Sequence, residues 1–99
     1  MKLNGKEIKL ASYCYEILND EMILFNEDSK KIIILNCTAI IIWNEIVRNF
    51  EINQNVCTDD IADKLMQTYL MPETEKKCIY SDVEEIIERL FQSSLLENI

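Results

Sequence analysis

Apolar residues alternate or run in short blocks through the first third of the chain and then recur at helical spacing to its end. Lys2-Leu3-Asn4-Gly5-Lys6 carries the Asn-Gly pair of a tight hairpin turn, so residues 2–10 predict a short ribbon. Residues 12–18 (Ser-Tyr-Cys-Tyr-Glu-Ile-Leu) are rich in strand formers, and Asn19-Asp20 supplies a turn before a second strand at 22–26. The polar cluster Asn26-Glu27-Asp28-Ser29 then leads to a third strand at 31–35, Lys-Ile-Ile-Ile-Leu. Connections this short make neighbouring strands antiparallel, which places the second strand in the middle of a meander.

Helical periodicity takes over at residue 37. Asn36, Cys37 and Thr38 offer capping side chains to a helix over about 37–49, and Ile40, Trp43, Ile46, Val47 and Phe50 follow at helical spacing, with Ile41 and Ile42 broadening the apolar face. Thr58 is the expected cap of a second helix, about 58–70, with Asp59 and Asp60 against the positive end of its dipole. Pro72 ends that helix, because proline disfavours helix in the residue before it. A charged loop over Thr74–Cys78 leads to the capping box Ser81-Asp82-Val83-Glu84 and a third helix, about 81–95. The prediction is a single α+β domain over 1–99: a three-stranded antiparallel sheet, with room for an N-terminal ribbon, followed by a winged-helix-like trio of helices.

Composition removes several functions. Among 99 residues there is no histidine and one glycine, so the usual general base and a glycine-rich phosphate loop are missing. Four cysteines stand about twenty residues apart, with no C-x-x-C pair to begin a metal site. No catalytic residue, metal or cofactor is expected. The net charge of −8 disfavours nucleic acid. Residues 1–31 carry five basic and six acidic groups, a net of −1; residues 32–99 carry five and twelve, a net of −7. The third helix, where a DNA reader would need Lys or Arg, is acidic. The run Met1–Lys6 lacks a signal-like apolar core, and no stretch approaches the ~20 apolar residues of a membrane span, so a cytoplasmic protein without membrane contact is expected.

The third strand carries the functional signal. It lies at the edge of the meander, yet Ile32, Ile33, Ile34 and Leu35 are apolar on both faces. Edge strands are normally protected, because their unpaired N–H and C=O groups invite another strand. One consequence is a peptide added as a further strand beside the third helix, with Arg89 holding a peptide carboxylate. Ile33→Pro and Leu35→Asp are then expected to weaken binding. The alternative is an accessory subunit or obligate homodimer that packs through the same edge.

The order and spacing of several fragments resemble PqqD-like proteins, also called RiPP recognition elements. Ile34-Leu35-Asn36-Cys37-Thr38-Ala39 followed by Ile42-Trp43 is similar to their L-N-x-[ST]-A-x-x-I-W signature, and Met22–Asn26 to the strand before it. Thr58-Asp59-Asp60-Ile61-Ala62 with Leu65 and Tyr69 matches the family's second helix, and Ser81–Leu90 with Leu95-Leu96-Glu97 its closing segment. The resemblance spans about residues 12–97. Two positions depart from it: Arg48-Asn49-Phe50-Glu51 replaces a glycine-containing turn, and Ser94 stands where a glycine is usual. The resemblance implies a non-catalytic domain that binds the leader of a ribosomal precursor peptide and presents it to a modifying enzyme. That enzyme would be a radical-SAM protein, a leader protease or another maturase. The implied site is Ile32, Ile33, Ile34 and Leu35 on the strand, with Val83, Ile86, Ile87 and Leu90 as helix wall and Glu85 and Arg89 as polar contacts.

Overall fold

A computed structural model describes residues 1–99. Its strands are β1 (Lys2–Leu3), β2 (Lys6–Leu10), β3 (Tyr13–Leu18), β4 (Glu21–Asn26), β5 (Ile32–Leu35) and β6 (Leu96–Asn98). Its helices are α1 (Cys37–Glu51), α2 (Thr58–Thr68) and α3 (Lys76–Gln92). The α+β class, the three-stranded antiparallel sheet and the N-terminal ribbon follow the sequence pattern; the third strand that β6 adds to the ribbon does not. One sheet has the order β3-β4-β5, the expected meander; the other is β1-β2-β6. Asn4 and Gly5 form the β1–β2 turn with φ of 53° and 79°, the left-handed backbone that an Asn-Gly pair tolerates.

Strand alternation decides which residues make the core. Met22 and Leu24 of β4 pair with Leu35 and Ile33 of β5, and all four are buried. Ile42, Trp43 and Ile46 of α1 lie over that face, and Ile61 and Leu65 of α2 with Val83, Ile87 and Leu90 of α3 complete the same core. Tyr13 meets Trp43 edge-on, with ring centroids 5.1 Å apart. Burial, reinforced by Glu51 and Tyr15, pushes the Tyr13 phenol above its ordinary range and keeps it neutral.

The helix starts agree with the sequence pattern at α1 and differ from it at α2 and α3. Asn36 caps α1, accepting a 2.9 Å hydrogen bond from the Ala39 N–H, as its side chain predicts. At α2 the N-cap is Cys57 rather than Thr58. Asp60 accepts from the Cys57 N–H at 2.9 Å, which holds the Asp60 carboxyl below the usual carboxylate range. Thr58 is drawn instead to Asn4, its N–H donating to Asn4 Oδ1 at 2.9 Å. The third helix begins at Lys76, after a 3-10 turn at Glu73–Glu75, so the capping box at Ser81 lies inside it. Ile79 and Tyr80 extend its apolar stripe onto the core and outweigh the local signal at Ser81.

The chain also leaves α3 earlier than expected. Ser94 takes φ of 61°, and the Leu95 N–H turns back to the Leu90 carbonyl at 3.0 Å, a helix-ending turn that usually favours glycine. Leu95 and Leu96 then enter the core completely, and β6 pairs with β2, Leu96 opposite Leu10.

Candidate functional site

The direction of each backbone group in β5 follows from one hydrogen bond. The Asn26 N–H donates to the Lys31 carbonyl at 2.9 Å, so Lys31 faces β4. In an antiparallel ladder alternate residues face the same neighbour. Ile33 and Leu35 therefore spend their backbone groups on β4, while those of Ile32 and Ile34 point away from the sheet. The side chains divide in the same way. Ile33 and Leu35 are buried, whereas Ile32 and Ile34 are 62% and 50% exposed.

This register corrects two expected substitutions. Proline at Ile33 would break the internal β4–β5 ladder rather than the open edge. Aspartate at Leu35 would bury a carboxylate in the core, since Leu35 is fully enclosed. The edge groups belong to Ile32 and Ile34.

Beside the edge lies an open groove of 550 Å³, floored by β5 and walled by the C-terminal part of α3 through Arg89, Gln92 and Ser93. A smaller recess of 160 Å³ continues it toward the start of α1, between Asn36, Ala39 and Ile42 on one side and Asp82, Glu85 and Ile86 on the other. Arg89 belongs to both. Its Nη2 crosses the cleft and donates to the Ile34 carbonyl at 2.7 Å. At the other end Lys31 Nζ donates to the Gln92 carbonyl at 3.2 Å, so strand and helix each send one cation across.

The turn between β4 and β5 anchors this frame. Asn26 is completely buried: its Oδ1 accepts from the Asp28 and Ser29 N–H groups, and its Nδ2 donates to the Ser93 carbonyl at 3.0 Å. The Ser29 hydroxyl donates to the same carbonyl at 3.4 Å. No buried side-chain polar atom lacks a partner, so the hairpin is fixed to the end of α3 without an unsatisfied group.

The residues singled out from sequence fall into two sets. Ile32, Ile33 and Ile34 line the groove, and Glu85, Ile86 and Arg89 line the recess. Val83, Ile87 and Leu90 occupy the core and attach α3 to the sheet, and Leu35 is enclosed beside them. The helix presents two stripes, an apolar one inward (83, 87, 90) and a mostly polar one toward the cleft (82, 85, 89, 92), with Ile86 between them. Lys31, Asn36, Gln92 and Ser93 escape a search for apolar groove residues; the helical spacing of Asp82, Glu85, Arg89 and Gln92 is the signal that finds the polar stripe.

The four thiols are free, those of Cys14, Cys37 and Cys78 exposed, and no three potential metal-ligating side chains gather at one point. No helix is long and apolar enough to cross a membrane.

No curated protein matches this chain. A solved structure described as "TbiB1 in Complex with the TbiA(beta) Leader Peptide" shares the fold: at 17% identity the correspondence covers 90% of this chain and 94% of that one, with a TM-score of 0.62. The model of the family described as "Coenzyme PQQ synthesis protein D (PqqD)" matches residues 21–96. That span runs from the first residue of β4 to the first residue of β6 and contains the whole frame of the groove. The chain belongs to the PqqD family.

Proposed function

We propose that this protein is a non-catalytic carrier for the leader of a ribosomally made precursor peptide. The leader adds to β5 as a fourth strand, and the carrier presents the rest of the precursor to a modifying enzyme. The observation that carries this reading is the pair of outward-facing residues Ile32 and Ile34 beside the α3 groove. Main-chain hydrogen bonds to such an edge supply affinity, and pockets for alternate side chains supply selectivity. Membership of the PqqD family and the fold shared with a leader-peptide complex support the same reading.

In this arrangement the backbone of Ile32 and Ile34 contacts the peptide directly. Ile86, Glu85 and Arg89 form the helix side of its channel. Ile33 and Leu35 hold the strand in place, as Val83, Ile87 and Leu90 hold the helix. The carrier performs no chemistry. It raises the local concentration of substrate at its partner, a radical-SAM protein, a leader protease or another maturase.

Calorimetric titration of the full chain with the leader of a precursor peptide, sought among the neighbouring genes, tests the reading. Saturable binding near micromolar, about −8 kcal/mol, is expected. Absence of saturable binding contradicts it.

A further inference from the structure

Arg89 lies in the cleft between β5 and α3 with no carboxylate partner of its own. The ion pairs of the molecule join the N-terminus to Glu7, Lys9 to Glu97, Arg48 to Glu45 and Lys76 to Asp63. Arg89 takes part in none of them, although the chain has 18 acidic residues and Glu85 lies one helical turn away. It spends one N–H on the carbonyl of Ile34, a group that an added strand would use. The larger groove repeats this imbalance. Its charged lining residues are Lys31 and Arg89, both cations, in a protein of net charge −8. Carboxylates enter only on the far side of Arg89, where Asp82 and Glu85 line the recess.

We infer that Arg89 is a specificity residue that reads an acidic side chain, Asp or Glu, on the guest peptide. This rests on the strand-addition reading above. A guest strand brings an N–H into competition with Arg89 for the Ile34 carbonyl, so the guanidinium loses a partner unless the guest supplies another. A planar fork of donors is matched best by a carboxylate, which can accept two bonds at once. Lys31 reinforces the preference from the opposite end of the groove, while Asp82 and Glu85 repel a carboxylate placed in the recess. The acidic side chain therefore sits on the Lys31 side of Arg89. For a guest antiparallel to β5, that position is C-terminal to the residue filling the recess, because such a guest passes Leu35 before Lys31.

Selection of a displayed random-sequence peptide library on the full chain tests this whatever the leader sequence is. Binders at the β5 edge are those lost on Ile34→Pro. Among them the expected result is one shared Asp or Glu. Changing it to Asn, or Arg89→Gln, lowers affinity roughly ten- to hundredfold, the range for a lost charge-assisted bond. The two changes together cost less than their sum, as coupled residues do. Arg89→Glu, paired with a peptide in which the acid is replaced by Lys, recovers binding, which keeps the test decisive should Arg89→Gln disturb folding. Edge-bound peptides with no shared acid, or an affinity indifferent to Arg89→Gln, overturn the inference and leave strand addition standing. Should no binder respond to Ile34→Pro, the strand-addition reading fails and takes this inference with it.

Discussion

The β3-β4-β5 sheet has two free edges, and they differ in what flanks them: β5 has α3 and a groove beside it. On β3 the Ser12 carbonyl accepts from the Glu27 N–H at 2.9 Å, so Ser12, Cys14 and Glu16 face β4, and Tyr13, Tyr15 and Ile17 turn their backbone groups outward. That edge is longer than β5, and five of its six residues are exposed. By length and exposure alone it is the better template. It differs in its surroundings: β5 has a helix alongside, a groove beneath and two cations crossing that groove, whereas the exposed run of β3 has Glu16 at its centre, a charge of the kind that blunts edges. The family match also begins at Glu21, after β3. Unpaired backbone groups make an edge available; a wall beside them makes it selective.

Matched substitutions on the two edges give the largest expected effect. Ile34→Pro removes an outward N–H without touching the β4–β5 ladder, and should weaken peptide binding by at least about thirtyfold, or about 2 kcal/mol. Tyr15→Pro removes the equivalent outward N–H on β3 and should leave affinity within about twofold, a difference below ~0.5 kcal/mol. Equal losses in a titration would erase the distinction between the edges.

The frame of the β5 groove should yield next. Asn26→Ala removes the acceptor of the Asp28 and Ser29 N–H groups and leaves the Ser93 carbonyl only the longer bond from the Ser29 hydroxyl, and is expected to cost about 2 kcal/mol in denaturant unfolding. Because Asn26 ties the hairpin to α3, peptide affinity should fall as well. A change in stability without a change in affinity would separate the groove from its anchor.

Ser94→Gly acts in the opposite direction and by less. The left-handed backbone at Ser94 costs a side-chain-bearing residue roughly 1 kcal/mol that glycine avoids. Thermal unfolding should move upward by a few degrees, about 4–8 °C per kcal/mol for a domain of this size, with affinity unchanged. A lower unfolding temperature would mean that the Ser94 side chain contributes more than its backbone strain removes.

Much of this architecture is legible in the residues themselves. The two-sided apolar run at Ile32–Leu35, following a polar turn, marks an edge strand, and the hairpin and meander follow from Asn-Gly and the short connections. Which backbone groups face outward is not legible, because that depends on register, and register is fixed by the Asn26–Lys31 hydrogen bond. The helix wall is misread for a related reason. Apolar residues attract attention as groove candidates, but on a helix that must also pack, Val83, Ile87 and Leu90 are consumed by the core and the groove receives the neighbouring polar stripe. Arg89 is visible in the sequence as the lone cation among the acids of that stretch; its reach to Ile34 is not. The three-residue β6 gives no periodicity to detect and forms because Leu95 and Leu96 are buried beside β2.

Hydrogen exchange resolved to single amides tests the β5 edge most directly. In the free protein the Ile32 and Ile34 amides should exchange quickly and those of Ile33 and Leu35 slowly. Saturating leader peptide should slow Ile32 and Ile34 while leaving Tyr15 and Ile17 unchanged. Protection of Ile32 and Ile34 in the free protein, or peptide-induced protection that appears on β3 instead, would contradict the account.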